Sequence, residues 1–117
     1  MNLKDKNIFL SGPMSAIPYH NVPEFAKAHA IVKELGASHV YNPALKYLEG
    51  QYTADAKPHE WWMAKRINEL THTSLDGGMF YDLIVMLPGW RDSSGALEEW
   101  RVACACGIPY VNLGELE

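Results

Sequence analysis

Five consecutive apolar residues, Leu83-Ile84-Val85-Met86-Leu87, are closed by Pro88-Gly89-Trp90. A run this short and apolar throughout has the pattern of a strand buried on both faces, which an all-parallel sheet covered by helices provides. The rest of the chain fits that frame. Asn7 to Leu10 is a second apolar run, ended by Ser11-Gly12-Pro13. Asn21 and Glu24 have capping-box spacing, and Phe25, Ala28, Val32 and Leu35 follow at helical intervals up to Gly36. His39 to Tyr41 reads as a short strand. Residues 44 to 57 have no clear period and carry loop signals at Gly50 and Lys57-Pro58. A helix is expected from Pro58 to about Thr71, striped by Met63, Ile67 and Leu70, and another from about Ser94 to Cys106. Pro109 to Leu113 forms a last strand. Strands alternating with helices imply right-handed parallel crossovers. The expectation is one α/β domain over residues 1–117: a three-layer sandwich with a central, mainly parallel sheet, Rossmann-like or flavodoxin-like.

The formal net charge is −4, which disfavours a polymer of phosphates as partner, so no nucleic acid is expected. No apolar run approaches the ~20 residues of a membrane span, and Met1 to Asn7 has no signal-peptide core. Cys104 and Cys106 stand two apart on a helix and read as reduced core residues of a cytoplasmic protein. His20, His29, His39, His59 and His72 have no metal-ligand spacing, so neither metal nor cofactor is expected.

Ligands of such sheets bind beyond the carboxyl ends of the strands. Two loops lie there, Ser11-Gly12-Pro13-Met14-Ser15 and Pro88 to Gly95. On the helix that follows the second, Glu99 shares a face with Ala96, Ala103 and Cys106. Those small residues can pack closely on the sheet and carry the carboxylate toward the strand ends. Glu98 faces away, within reach of Arg101. Spacing alone favours reading both glutamates as ordinary first-turn acids that suit the helix dipole. Ser93 or Ser94 caps this helix. Trp90 either stacks on a base or covers the sheet end. Met14 either lines a pocket or packs, and Asp82 and Asn42 read as turn and loop residues.

The string Ile8-Phe9-Leu10-Ser11-Gly12-Pro13-Met14-Ser15 resembles the opening of nucleoside 2-deoxyribosyltransferase-like proteins. So does the run Ser93-x-Gly95-x-x-x-Glu99 ending in Ala103-x-Ala105-x-Gly107-x-Pro109. Leu87-Pro88-Gly89-Trp90 is similar to a branch common in bacteriophages. The likeness covers about residues 7 to 43 and 82 to 113 and fails in the middle third. It implies that Glu99 is a nucleophile that captures the anomeric carbon of a deoxyribosyl group, as in a retaining glycosidase. Ser93 stands where transferases of free nucleosides carry an aspartate and deoxynucleoside 5′-monophosphate N-glycosidases carry a serine. A carboxylate ~4 Å from a phosphate charge costs ~4 kcal/mol at an effective dielectric near ~20, so serine favours the monophosphate. Ser93 and Gly12 would then cradle the phosphate, with Ser11, Pro13, Met14, Ser15, Trp90 and Gly95 around the ligand.

Three departures accompany the likeness. Phe9 replaces a tyrosine whose hydroxyl bonds the nucleophile, and Ser15 stands near an arginine of the monophosphate hydrolases. A second acid also belongs on the helix before the central strand. Alignment on Met63 and Leu70 puts Arg66 there, whereas counting back from Asp82 gives Ser74 with Asp76 nearby, and Asp76 is the candidate. The expected activity is N-glycosidic cleavage of 2′-deoxynucleoside 5′-monophosphates. The alternatives are a nucleoside 2-deoxyribosyltransferase and a non-catalytic nucleotide-binding or sequestering protein. Four tryptophans and six tyrosines in so short a chain, and the family's shared sites, imply a homodimer or higher homo-oligomer, through Trp61 and Trp62 or Tyr110 to Leu113.

Overall fold

The computed structural model describes residues 1–14, 17–45 and 58–117. Its strands are β1 (Asn7–Ser11), β2 (His39–Tyr41), β3 (Leu83–Met86) and β4 (Tyr110–Asn112). Its helices are α1 (Val22–Glu34), α2 (His59–Thr71) and α3 (Ser94–Ala105). The strands form one parallel sheet in the order β2-β1-β3-β4. The segment 44 to 57, read as loop, lies outside the described residues except at its first two positions.

Period-two alternation on the inner strands builds two cores. Ile8 and Leu10 of β1, with Val85 and Leu87, turn toward Phe25, Ala28 and Val32 of α1. Phe9, Ile84 and Met86 turn the other way, toward Leu70 of α2 and Ala96 and Ala103 of α3. Helices therefore cover both faces, and the layers are those of a three-layer α/β sandwich with flavodoxin-like strand order. The apolar run of β3 is buried for this reason, with Ile84, Val85 and Met86 all within the core, as is β1 from Ile8 to Ser11.

The strand order sets where a ligand can sit. From β1 the chain crosses to β2 on one side, and from β3 to β4 on the other. The two loops leaving β1 and β3 therefore part, and a crevice opens between them at the switch point. Gly12 makes the approach of these loops possible, since a Cβ there would lie 2.7 Å from Leu87 Cβ.

Two local expectations are corrected. Asn21 is the N-cap of α1, but without a capping box: its φ is 61°, no side-chain cap bond forms, and its Nδ2 donates to the Pro13 carbonyl at 2.9 Å. Tyr19 and His20 are also left-handed, so the turn folds back and ties the start of α1 to the β1 loop. Cys104 and Cys106 are unpaired and exposed rather than in the core, because Ala103 is the residue that the end of α3 turns inward. Among the described residues, no helix is long and apolar enough to cross a membrane, and no cluster of metal-ligating side chains occurs.

Candidate active site

A cavity of about 510 Å³ lies at the switch point. Gly12, Pro13 and Met14 from the β1 loop form one wall, and Pro88, Gly89, Asp92 and Ser93 from the β3 loop form another. The first turns of all three helices reach it, through Glu24 of α1, His59 of α2 and Ser94 and Gly95 of α3. Parallel βα units put every helix start at this end of the sheet. Their exposed N–H groups make the cavity attractive to an anion. The carboxylates of Glu24 and Asp92 oppose this, and both residues are exposed to water, which weakens their effect.

Glu99 stands behind the cavity wall and is 2% exposed. Its position follows from the small face of α3, where Ala96 and Ala103 are buried and let the helix close on β1 and β3. Ser11 Oγ donates to Glu99 Oε1 at 2.6 Å. Arg66 Nε donates to Glu99 Oε2 at 2.6 Å, and Arg66 Nη2 reaches Met63 Sδ at 3.0 Å. Burial pushes the Glu99 carboxyl above the ordinary carboxylate range, while the Arg66 charge and the two donors pull it back only in part. Glu98 is exposed and pairs with Arg101 at 3.6 Å, so the two adjacent glutamates differ as the face argument requires.

Ser93 is the N-cap of α3. Its Oγ accepts from the Ala96 N–H at 3.2 Å, and its own proton remains available to a ligand. Gly95 is buried against Arg66: a Cβ there would stand 3.2 Å from Arg66 Nη2 and 3.3 Å from Met63 Sδ. Ser15 lies outside the described residues.

Three of the expected site residues stand elsewhere. Phe9 is fully buried, stacked on Tyr41 at 4.7 Å and edge-on to Tyr81 at 5.4 Å, and does not line the cavity. Ser11, two residues on and therefore on the same face of β1, supplies the hydroxyl that reaches Glu99 instead. Trp90 covers the sheet end beyond β3: it is 5% exposed, its Nε1 donates to Asn112 Oδ1 at 2.8 Å, and it packs on Trp100. Asp76 sits in an exposed turn, where Ser74 Oγ donates to it at 2.5 Å and the Gly78 N–H at 2.9 Å. That turn borders a separate hollow with Thr73, Leu75 and Phe80, so Asp76 does not join Glu99. Of the positions considered for that acid, Arg66 is the one that meets Glu99, and it is a base.

Arg66 was legible in principle. It shares the inward stripe of α2 with Met63, Ile67 and Leu70, and a cation there either reaches water along its stem or meets a buried anion. Asp92, Glu24 and His59 carried no such signal, because only the convergence of three helix starts brings them together.

Fold and site define a parallel α/β domain that places a buried, arginine-paired glutamate beside a polar cavity at the strand ends. The chain belongs to the family described as a domain of unknown function (DUF4406), whose model matches residues 6–112. No curated protein and no solved structure matches it.

Proposed function

We propose that the protein is an N-glycosidase of 2′-deoxynucleoside 5′-monophosphates, with Glu99 as nucleophile. The observation that carries this reading is the Glu99 carboxylate, 2% exposed and held by Ser11 and Arg66 beside a cavity at the switch point. A charge buried at this cost without a binding or catalytic task is a poor use of a core position. The cavity volume suits a small ligand. In the reaction a Glu99 oxygen bonds to the anomeric carbon as the C–N bond to the base breaks, and the base leaves with the bonding pair and takes a proton from solvent, which the water of the second step returns. Water then cleaves the glycosyl ester, restoring the carboxylate and releasing deoxyribose 5-phosphate. In the free protein Ser11 and Arg66 hold the two Glu99 oxygens and favour the charged form against burial. The helix starts and the Ser93 hydroxyl receive the phosphate. The unpaired, exposed cysteines fit a reducing compartment, the cytoplasm.

One observation favours a second reading, a protein that binds nucleotides without turnover. Both Glu99 oxygens are engaged, and Arg66 rather than a second acid occupies the matching position on α2. Incubation with a panel of deoxynucleotides, followed by chromatography of free base, separates the possibilities. Released base supports hydrolysis and base exchange supports transfer. Tight binding with no released base overturns the glycosidase reading. Ser93→Asp is expected to lower the preference for monophosphates over free nucleosides. Equal wild-type rates on both would remove the phosphate assignment.

A further inference from the structure

We propose that Arg66 is shared between Glu99 and the anionic group of a bound nucleotide, so that ligand binding draws the guanidinium off the carboxylate and uncovers it. This rests on the nucleotide reading above and adds to it a residue that couples recognition of the anion to exposure of Glu99.

Three features of the site support this role. The first is position. Arg66 lines the cavity and Glu99 does not; their side chains are 18% and 3% exposed. A ligand in the cavity therefore meets the guanidinium before it meets the carboxylate. The second is the form of the pairing. Arginine binds carboxylate or phosphate best through two parallel N–H bonds. Here only Nε reaches Glu99, and the other carboxylate oxygen is taken by Ser11. Nη2 is directed to the Met63 thioether, a weak and neutral acceptor. The fork is thus half used, and a phosphate offers it the second bond that Glu99 does not. The third is the neighbourhood. The guanidinium lies against Gly95, where an added Cβ would come within 3.2 Å of Nη2. Gly95 is in the first turn of α3, so the arginine and the helix-start N–H groups face one anion position from adjacent points. Ser11 stays on Glu99 after the guanidinium moves and keeps the carboxylate hydrogen-bonded.

The exchange makes a prediction about binding that does not depend on turnover. Inorganic phosphate is titrated by calorimetry into wild type, Glu99→Gln and Glu99→Gln/Arg66→Met. If Glu99 competes for Arg66, Glu99→Gln binds phosphate about tenfold more tightly than wild type, the factor expected for losing one charge-assisted competitor. The double variant, which buries no unpaired charge, loses that gain and binds at least tenfold more weakly than Glu99→Gln. Equal affinities of Glu99→Gln and the double variant overturn the proposal, as does a Glu99→Gln that binds no more tightly than wild type. Should the methionine variant fail to fold, Glu99→Gln/Arg66→Lys serves in its place: it keeps the charge without the planar fork, and affinity equal to that of Glu99→Gln overturns the proposal. Base release is followed separately on wild type. A binding series as expected with no released base leaves Arg66 in this role and removes the glycosidase reading; the reverse result removes Arg66 and leaves the glycosidase.

Discussion

Ser11→Ala tests whether Glu99 is held as a charge. Ser11 is 1% exposed and donates to Glu99 Oε1 at 2.6 Å, so no water stands ready to replace the lost donor. A hydrogen bond to a charged group contributes about 1.5–3 kcal/mol. For a domain of this size each kcal/mol moves the midpoint by about 3–5 °C, so the variant should unfold about 5–15 °C lower near neutral pH. Alanine is slightly smaller than serine and fits without strain, which leaves the missing donor as the main effect. The dependence on pH carries the test. The Glu99 carboxyl is raised in the folded protein, so its contribution to stability is full at low pH and declines as pH rises through its folded value. Ser11 favours the charged form and softens that decline. Its removal should therefore cost most where Glu99 is ionised and cost less as pH falls and the carboxyl is protonated. Thermal unfolding followed by circular dichroism at neutral and mildly acidic pH reads this directly. The acid limb of base release should also move to higher pH in the variant. A loss of the same size at every pH would show that Ser11 only packs there, and no loss at all would refute the hydrogen-bond argument.

Glu99→Gln keeps an acceptor oxygen for Arg66 and turns its amide N–H to the Ser11 hydroxyl, so it should fold normally and release no base; Glu98→Ala, on the exposed face, should keep wild-type rates. Active Glu99→Gln would exclude Glu99 as nucleophile. Gly12→Ala forces a Cβ to 2.7 Å from Leu87 Cβ, both fixed to backbone, and should destabilise by about 1–3 kcal/mol in denaturant titration. A homo-oligomer is expected because large apolar side chains remain outside the core, with Tyr19 82% and Tyr110 40% exposed. Light scattering should give a multiple of the 13.2 kDa chain mass, and a monomer that stays active on dilution would show that the cavity is complete in one chain.

The local pattern of the chain settled its architecture. The unbroken apolar run at Leu83 to Leu87, the alternation at Ile8 to Leu10 and the spacing from Phe25 to Val32 each set which face is buried. Burial is a property of periodicity that a sequence displays directly. The small face of α3 likewise distinguishes Glu99 from Glu98, although spacing alone does not give either a task. What the sequence left undecided were relations between side chains distant along the chain. Phe9 and Ser11 are equivalent as neighbours on one strand face, and only the seating of α3 decides that Ser11 reaches the carboxylate while Phe9 stacks in the core. Asp76 and Arg66 were rival positions for one role. The path of α2 across the sheet brings Arg66 to Glu99 and leaves Asp76 on a distant turn, a choice made by helix packing rather than by residue type. The ion pair needs two elements to meet within a few ångströms, and such a meeting is set by the sum of the core contacts rather than by either segment alone.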